Sequence, residues 1–276
     1  LAKDLEGYFM VRKFRSVKPI FIVLFLVMLL CDNSVWAGPQ DAAECKKRAT
    51  EKYPYLAIET CTRQIESNPD DLDSVFWRGF AYFKRGSSSK NDYQSALADF
   101  TRVLETYPDD MQALENRASC YLELERYKEA ITDASEVIAS DSKALGAFMV
   151  RAKAYYWLNR YEESVSDYTS ALALNPRSED TKFEAYWGRA QSQKYQKKYE
   201  DALADYRIAR VIKPWQGQNI SGLMAECFTK MGRKSEAINA WKEKIAIIDN
   251  DPAKRNDAYY MKEKANAKAE IEKLSK

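Results

Sequence analysis

The chain has 276 residues, 43 of them Lys or Arg and 41 Asp or Glu, and it contains no histidine. A formal charge of +2 gives no basic footprint for nucleic acid or an anionic membrane surface. The missing imidazole removes the commonest general base and the commonest metal ligand. The first element reads as targeting. Arg12, Lys13, Arg15 and Lys18 give a positive flank, Ile20 to Cys31 is an unbroken apolar run, and Val35-Trp36-Ala37 offers residues a signal peptidase reads. Residues 1–37 are expected to be a signal peptide cleaved before Gly38, with Met10 a natural start and residues 1–9 an upstream extension. The apolar run is shorter than the ~20 residues a spanning helix needs, so an uncleaved anchor is the alternative. Cys31 raises lipidation, although Leu30 precedes it where a small residue is wanted. Cleavage would remove Lys3 and the four basic residues of the flank together with Asp4, Glu6 and Asp32, leaving a formally neutral chain. The expected location is a bacterial periplasm, with no membrane span after cleavage.

The rest of the chain is organised by a period of 34 residues. Arg117-Ala118-x2-Tyr121 recurs as Arg151-Ala152-x2-Tyr155, and Tyr127-x2-Ala130-Ile131-x-Asp133 recurs as Tyr161-x2-Ser164-Val165-x-Asp167. Upstream stand Arg78-Gly79-x2-Tyr82, Ala96-Leu97-x-Asp99-Phe100 and Pro108. Downstream stand Arg189-Ala190, Tyr199-x2-Ala202-Leu203-x-Asp205-Tyr206 and Pro214. A fixed period of this size signals stacked supersecondary units. With a small residue and Tyr on the first helix, Ala-x3-aromatic on the second and Pro at the end, the chain resembles the tetratricopeptide repeat family over roughly residues 40–250. The resemblance implies an all-α solenoid of antiparallel helix pairs in a right-handed superhelix, with about six repeats and a C-terminal capping helix. It implies protein binding and no particular partner.

In chain order, residues 38–71 form a degenerate repeat broken at Tyr53-Pro54-Tyr55. Aligned on Ala57 and Pro69, Cys45 and Cys61 take facing positions of one hairpin, so a Cys45–Cys61 disulfide is expected, with two buried free thiols as the alternative. Closing such a loop stabilises by roughly 3 kcal/mol in the entropic model. Residues 72–110 are a repeat with a polar loop insertion over 86–92. Its Ser87-x2-Lys90 string lacks the companion motifs of a penicillin-binding enzyme. Repeats follow at 111–144 and 145–178, then at 179–216 with an N-terminal insertion around Arg177 to Phe183. A degenerate repeat spans 217–250, beginning loosely through Trp215 to Asn219. A capping helix over 251–276 carries Tyr260, Ala267, Ile271 and Leu274 as its apolar stripe. Cys120 and Cys227 read as core residues. Asn219-Ile220-Ser221 would be a glycosylation acceptor in a eukaryotic secretory route.

Two sets of positions bear on function. Arg78, Arg117, Arg151 and Arg189 share one first-helix position, and Asp99, Asp133, Asp167 and Asp205 share one second-helix position. Both are replaced together in the degenerate repeats, by Glu44 and Thr60 and by Met224 and Ala240. Pairing within each repeat is expected, as structural ion pairs; a ligand-facing charge ladder is the alternative. The family's concave groove would be lined by Phe76, Phe80 and Phe83, by Met149, Lys153, Tyr156 and Trp157, and by Trp187, Gln191 and Tyr195. Glu115, Ser119 and Glu123 form a polar break. Exposed aromatics mark protein contacts, though such stripes also pack on the next helix. The basic, Asn-rich clamp of chaperone-binding relatives is not matched, since Phe76, Phe80 and Glu115 hold those positions. The function expected is an exported, non-enzymatic module that binds a peptide or protein segment in an aromatic groove. A cell-envelope assembly scaffold acting through its convex face or end caps is the alternative. An enzyme finds no nucleophile elbow, phosphate loop or metal spacing here, and no metal or cofactor is expected.

Overall fold

The computed structural model describes residues 39–276 apart from 52, 87 and 88. The expected signal peptide, its cleavage point, Cys31 and Ser87 lie outside the described residues. Thirteen α-helices and no strand are found among those described. They pair as hairpins: α1 (Pro39–Thr50) with α2 (Pro54–Ser67), α3 (Leu72–Arg85) with α4 (Lys90–Thr106), α5 (Met111–Glu123) with α6 (Tyr127–Ser140) and α7 (Leu145–Trp157) with α8 (Tyr161–Ala173). Then come α9 (Glu179–Tyr195) with α10 (Tyr199–Ile212), and α11 (Gly217–Lys230) with α12 (Lys234–Asn250), on which α13 (Ala258–Ser275) packs. Each hairpin touches only its neighbours, which is the architecture of a tetratricopeptide-type solenoid.

Local chemistry starts and stops these helices. Asp71, Asp110 and Ser178 each accept a hydrogen bond from a backbone N–H three residues on, capping α3, α5 and α9. Asp257 caps α13 through the N–H groups of Tyr259 and Tyr260. Within the hairpins the turn falls on one repeated position, where Glu125, Asn159, Lys197 and Gly232 adopt positive φ. Only Gly232 does so without a side-chain penalty. Paired helices approach closely because the crossing positions are small. Ala57, Ala96, Ala130, Ala202 and Ala237 are fully buried, as is Ser164, whose hydroxyl donates to the Ala152 carbonyl.

One expectation about the insertions is corrected and the other is given a conformation. Of the polar run 86–92, Lys90, Asn91 and Asp92 are helical: Ser89 caps α4, and Asp92 accepts two hydrogen bonds from Arg85 at 2.8 and 2.7 Å. The later insertion, expected around Arg177 to Phe183 at the start of its repeat, is taken up from Glu179 onward as an added turn at the start of α9.

The core falls into a cluster running from Ile65 to Ala154, another from Ala190 to Ala267, a small one between them formed by Met149, Ala152, Tyr168, Ala171 and Ala185, and a small one at the first hairpin formed by Ala49, Ala57 and Ala81. Cys120 and Cys227 are buried free thiols, and burial pushes them up to about 12 and about 11. Both stay protonated and unreactive in the folded chain. The sulfurs of Cys45 and Cys61 sit at 2.04 Å, joining α1 to α2. No helix of the described residues is long and apolar enough to cross a membrane.

Candidate binding cleft

The four arginines each grip the aspartate of their own repeat through two parallel hydrogen bonds. Arg78 meets Asp99 at 2.9 and 2.7 Å, Arg117 meets Asp133 at 2.7 and 3.0 Å, Arg151 meets Asp167 at 2.7 and 2.8 Å, and Arg189 meets Asp205 at 2.7 and 2.8 Å. The aspartates are buried, and the carboxylate hydrogen bonds raise all four guanidinium pKa values. A third nitrogen of Arg151 donates to Ser135 on α6, and one of Arg189 to Thr169 on α8, so these two pairs also reach the preceding repeat. The pairs fix helix geometry and present no free charge to a ligand.

The groove residues divide into two groups. Phe76 and Met149 were expected on the surface, and the structure corrects this: they are 9% and 6% exposed. Phe76 packs edge-on to Phe100 at 5.5 Å, and Met149 joins the small cluster around Tyr168. Phe80 and Phe83 are half-buried, against Trp77 and Tyr93 respectively. The first part of the stripe is therefore helix-to-helix packing. Glu115 of the polar break lies against Gly146 of the next repeat, and burial, then the charge of Asp141, raises its carboxyl pKa.

From α7 onward the stripe opens. Lys153, Tyr156 and Trp157 on α7 and Trp187 and Gln191 on α9 line a cleft of about 770 Å³ with the groove side of α11. Trp157 is 60% exposed and Trp187 38%. Lys153 bridges to Glu184 of α9 at 2.8 Å, and Gln191 accepts the Tyr206 hydroxyl at 2.5 Å. Gly188 is needed on this wall, because a Cβ there would lie 2.4 Å from Tyr168 Cζ. Tyr195, 53% exposed, lies off the cleft on the hairpin-turn edge and stacks on Tyr161 at 5.0 Å. First helices touch along the row as far as α9, but no comparable contact joins α9 to α11. The cleft opens at that gap.

Sequence reasoning missed the far wall. Gly222 and Glu226 hold the groove positions of the last repeat, and Trp241 and Lys244 of α12 lie behind them. Lys244, 7% exposed, donates to Glu263 of α13 at 2.5 Å. Tyr259 and Glu263 bring the capping helix into the cleft. The repeat spacing was signal enough to find Gly222 and Glu226. Nothing in the period placed α13. Among the described residues no cluster of three metal-ligating side chains occurs.

The chemistry on offer is therefore recognition by ring faces, amides and paired charges on a stack of helical hairpins. A tetratricopeptide repeat model matches residues 88–144. A solved tetratricopeptide repeat protein from Parabacteroides merdae superimposes with a TM-score of 0.57 at 18% identity, over 86% of this chain and 94% of that one. The crystal structure of MamA protein gives 0.56 at 17% identity, over 67% and 97%. Human peptidyl-prolyl cis-trans isomerase FKBP4 is 33% identical over 70 residues, which are 25% of this chain and only 14% of that relative's length. These likenesses give the chain the tetratricopeptide repeat fold, with the repeat model itself matched over residues 88–144.

Proposed function

We propose that the chain is an exported binding module that holds an extended segment of a partner protein in the cleft between α7, α9 and α11. The observation that carries this reading is the cleft of about 770 Å³, whose walls come from three repeats and α13 and which leaves Trp157, Trp187 and Tyr259 exposed. Solvent-facing tryptophans framed by charged pairs are the composition of a contact hot spot. Gln191, Gln216 and Asn219 supply amides that suit the main chain of an extended guest. The Cys45–Cys61 pair and the apolar leader at Ile20 to Cys31 support export, because disulfides persist in oxidising compartments.

A displayed peptide library panned on the full chain tests the reading. Enriched peptides should lose at least tenfold in affinity for the Trp157→Ala/Trp187→Ala double variant. Enrichment that ignores the double variant, or no enrichment at all, defeats the cleft as the binding site.

A further inference from the structure

A second cavity, of about 550 Å³, lies on the hairpin-turn edge between α9, α11 and α13. It occupies a definite place in the repeat pattern. The first residue of four second helices or their first turn is a tyrosine at one repeated position: Tyr93, Tyr127, Tyr161 and Tyr199. Three of these rings are covered. Tyr93 is met by Phe83 at 5.7 Å and closed over by Gly86, where even a Cβ would fall 2.5 Å from its ring. Tyr127 carries Trp157, the last residue of the next repeat's first helix, stacked at 6.3 Å with a 13° interplanar angle. Tyr161 carries Tyr195, from the same position one repeat on, at 5.0 Å and 8°. On Tyr199 that position is held by Lys230, and the cavity stands there.

The cavity's charge is as specific as its shape. Lys194, Lys197, Lys230 and Lys273 line it with Glu226 and Glu270. Lys194 pairs with Glu226 at 2.9 Å and Lys273 with Glu270 at 3.8 Å. Among the described residues no carboxylate comes within ion-pairing distance of Lys197 or Lys230, and both are exposed. At the equivalent position of α3, by contrast, Lys84 donates to the carbonyls of Ala49, Thr50 and Glu51 at the end of α1. Trp241, which lines both this cavity and the cleft, is 8% exposed, and its indole Nε1 has no acceptor.

We infer that this cavity is a second recognition site, which takes an aromatic side chain of a partner protein, stacked on Tyr199, with an acidic residue beside it held by Lys197 and Lys230. The guest ring completes the aromatic ladder from outside, as Trp157 and Tyr195 complete it from inside. Offset ring stacking and ammonium–carboxylate attraction act together, and the second is weakened by salt. The site stands on its own geometry and does not require the cleft to be occupied.

The test uses the full chain and a dye-labelled, acetylated hexapeptide carrying one tryptophan between two aspartates, followed by fluorescence anisotropy. Wild type should bind it, at least tenfold more tightly than the same peptide with alanine for tryptophan. Lys230→Trp, which fills the place from within, should abolish binding with an unchanged melting temperature. Lys230→Gln and Lys197→Gln should each weaken it about threefold and flatten its salt dependence. Trp187→Ala, in the cleft, should leave it unchanged, so failure of either site is read separately. Absence of binding to wild type, equal binding of the alanine peptide, or full binding by Lys230→Trp would each overturn the inference.

Discussion

Arg151 shows how much one side chain does in this molecule. It holds buried Asp167 with two nitrogens and Ser135 with a third, tying both helices of its repeat to the repeat before. Removing it leaves a carboxylate buried without its counter-charge, a loss of about 3 kcal/mol in comparable pairs. Arg151→Ala should lower the urea midpoint accordingly, whereas Lys153→Ala, which breaks a largely exposed pair, should cost below about 1 kcal/mol. Glu115 works the other way. Burial raises its carboxyl pKa, so the folded state favours the protonated form. Its contribution is full below the ordinary carboxyl pKa and is lost as pH rises through the raised folded value. Glu115→Gln should therefore raise the melting temperature at pH 7 and change it little near pH 4. An equal gain at both pH values would mean that the effect is not ionisation.

At the scale of the element, α1 and α2 form the least regular hairpin and carry the Cys45–Cys61 link across a sequence separation of 16. A loop of this length stabilises by about 3 kcal/mol in the entropic model. Reduction should raise amide hydrogen exchange across 39–67 and leave α5 to α8 as protected as before. Uniform loss of protection would contradict local action. The helices themselves were legible in the sequence, because Ala, Tyr and Arg recur at fixed spacing and each marks a crossing or a pair. The insertions were legible in number and not in conformation. Ser89 to Asp92 has the polar composition of a loop and equally that of a capped first turn, and the Arg85–Asp92 pair decides for the helix. Phe76 and Phe80 share a helix face with the open groove positions, and only the neighbouring rings show them to be covered. The part of α13 in the cleft was not legible, since a packing partner outside the period leaves no trace in it.

For the whole molecule, the small cluster around Tyr168 is the join between two larger cores. In a stack where each hairpin contacts only its neighbours, cooperativity is the sum of such joins. Tyr168→Ala removes the ring that fills the notch over Gly188, a change worth about 3–5 kcal/mol for large aromatic truncations. It should split a single urea transition into two, with the Cys45–Ala154 half and the Ala185–Leu274 half melting apart. A single transition merely displaced to lower urea would mean the two cores are coupled through other contacts.

Neighbour-only contact also gives the molecule a mechanical character. The cleft walls α7 and α11 are joined through α8, α9 and α10 and not directly, so the mouth between them is one coil of a spring. Pulling the two ends apart would widen that coil before any hairpin is broken, and a guest seated between Trp157 and Tyr259 would feel the load as a loosened grip. Tension along the chain thus becomes a means of release, acting at distances where no ligand or charge could.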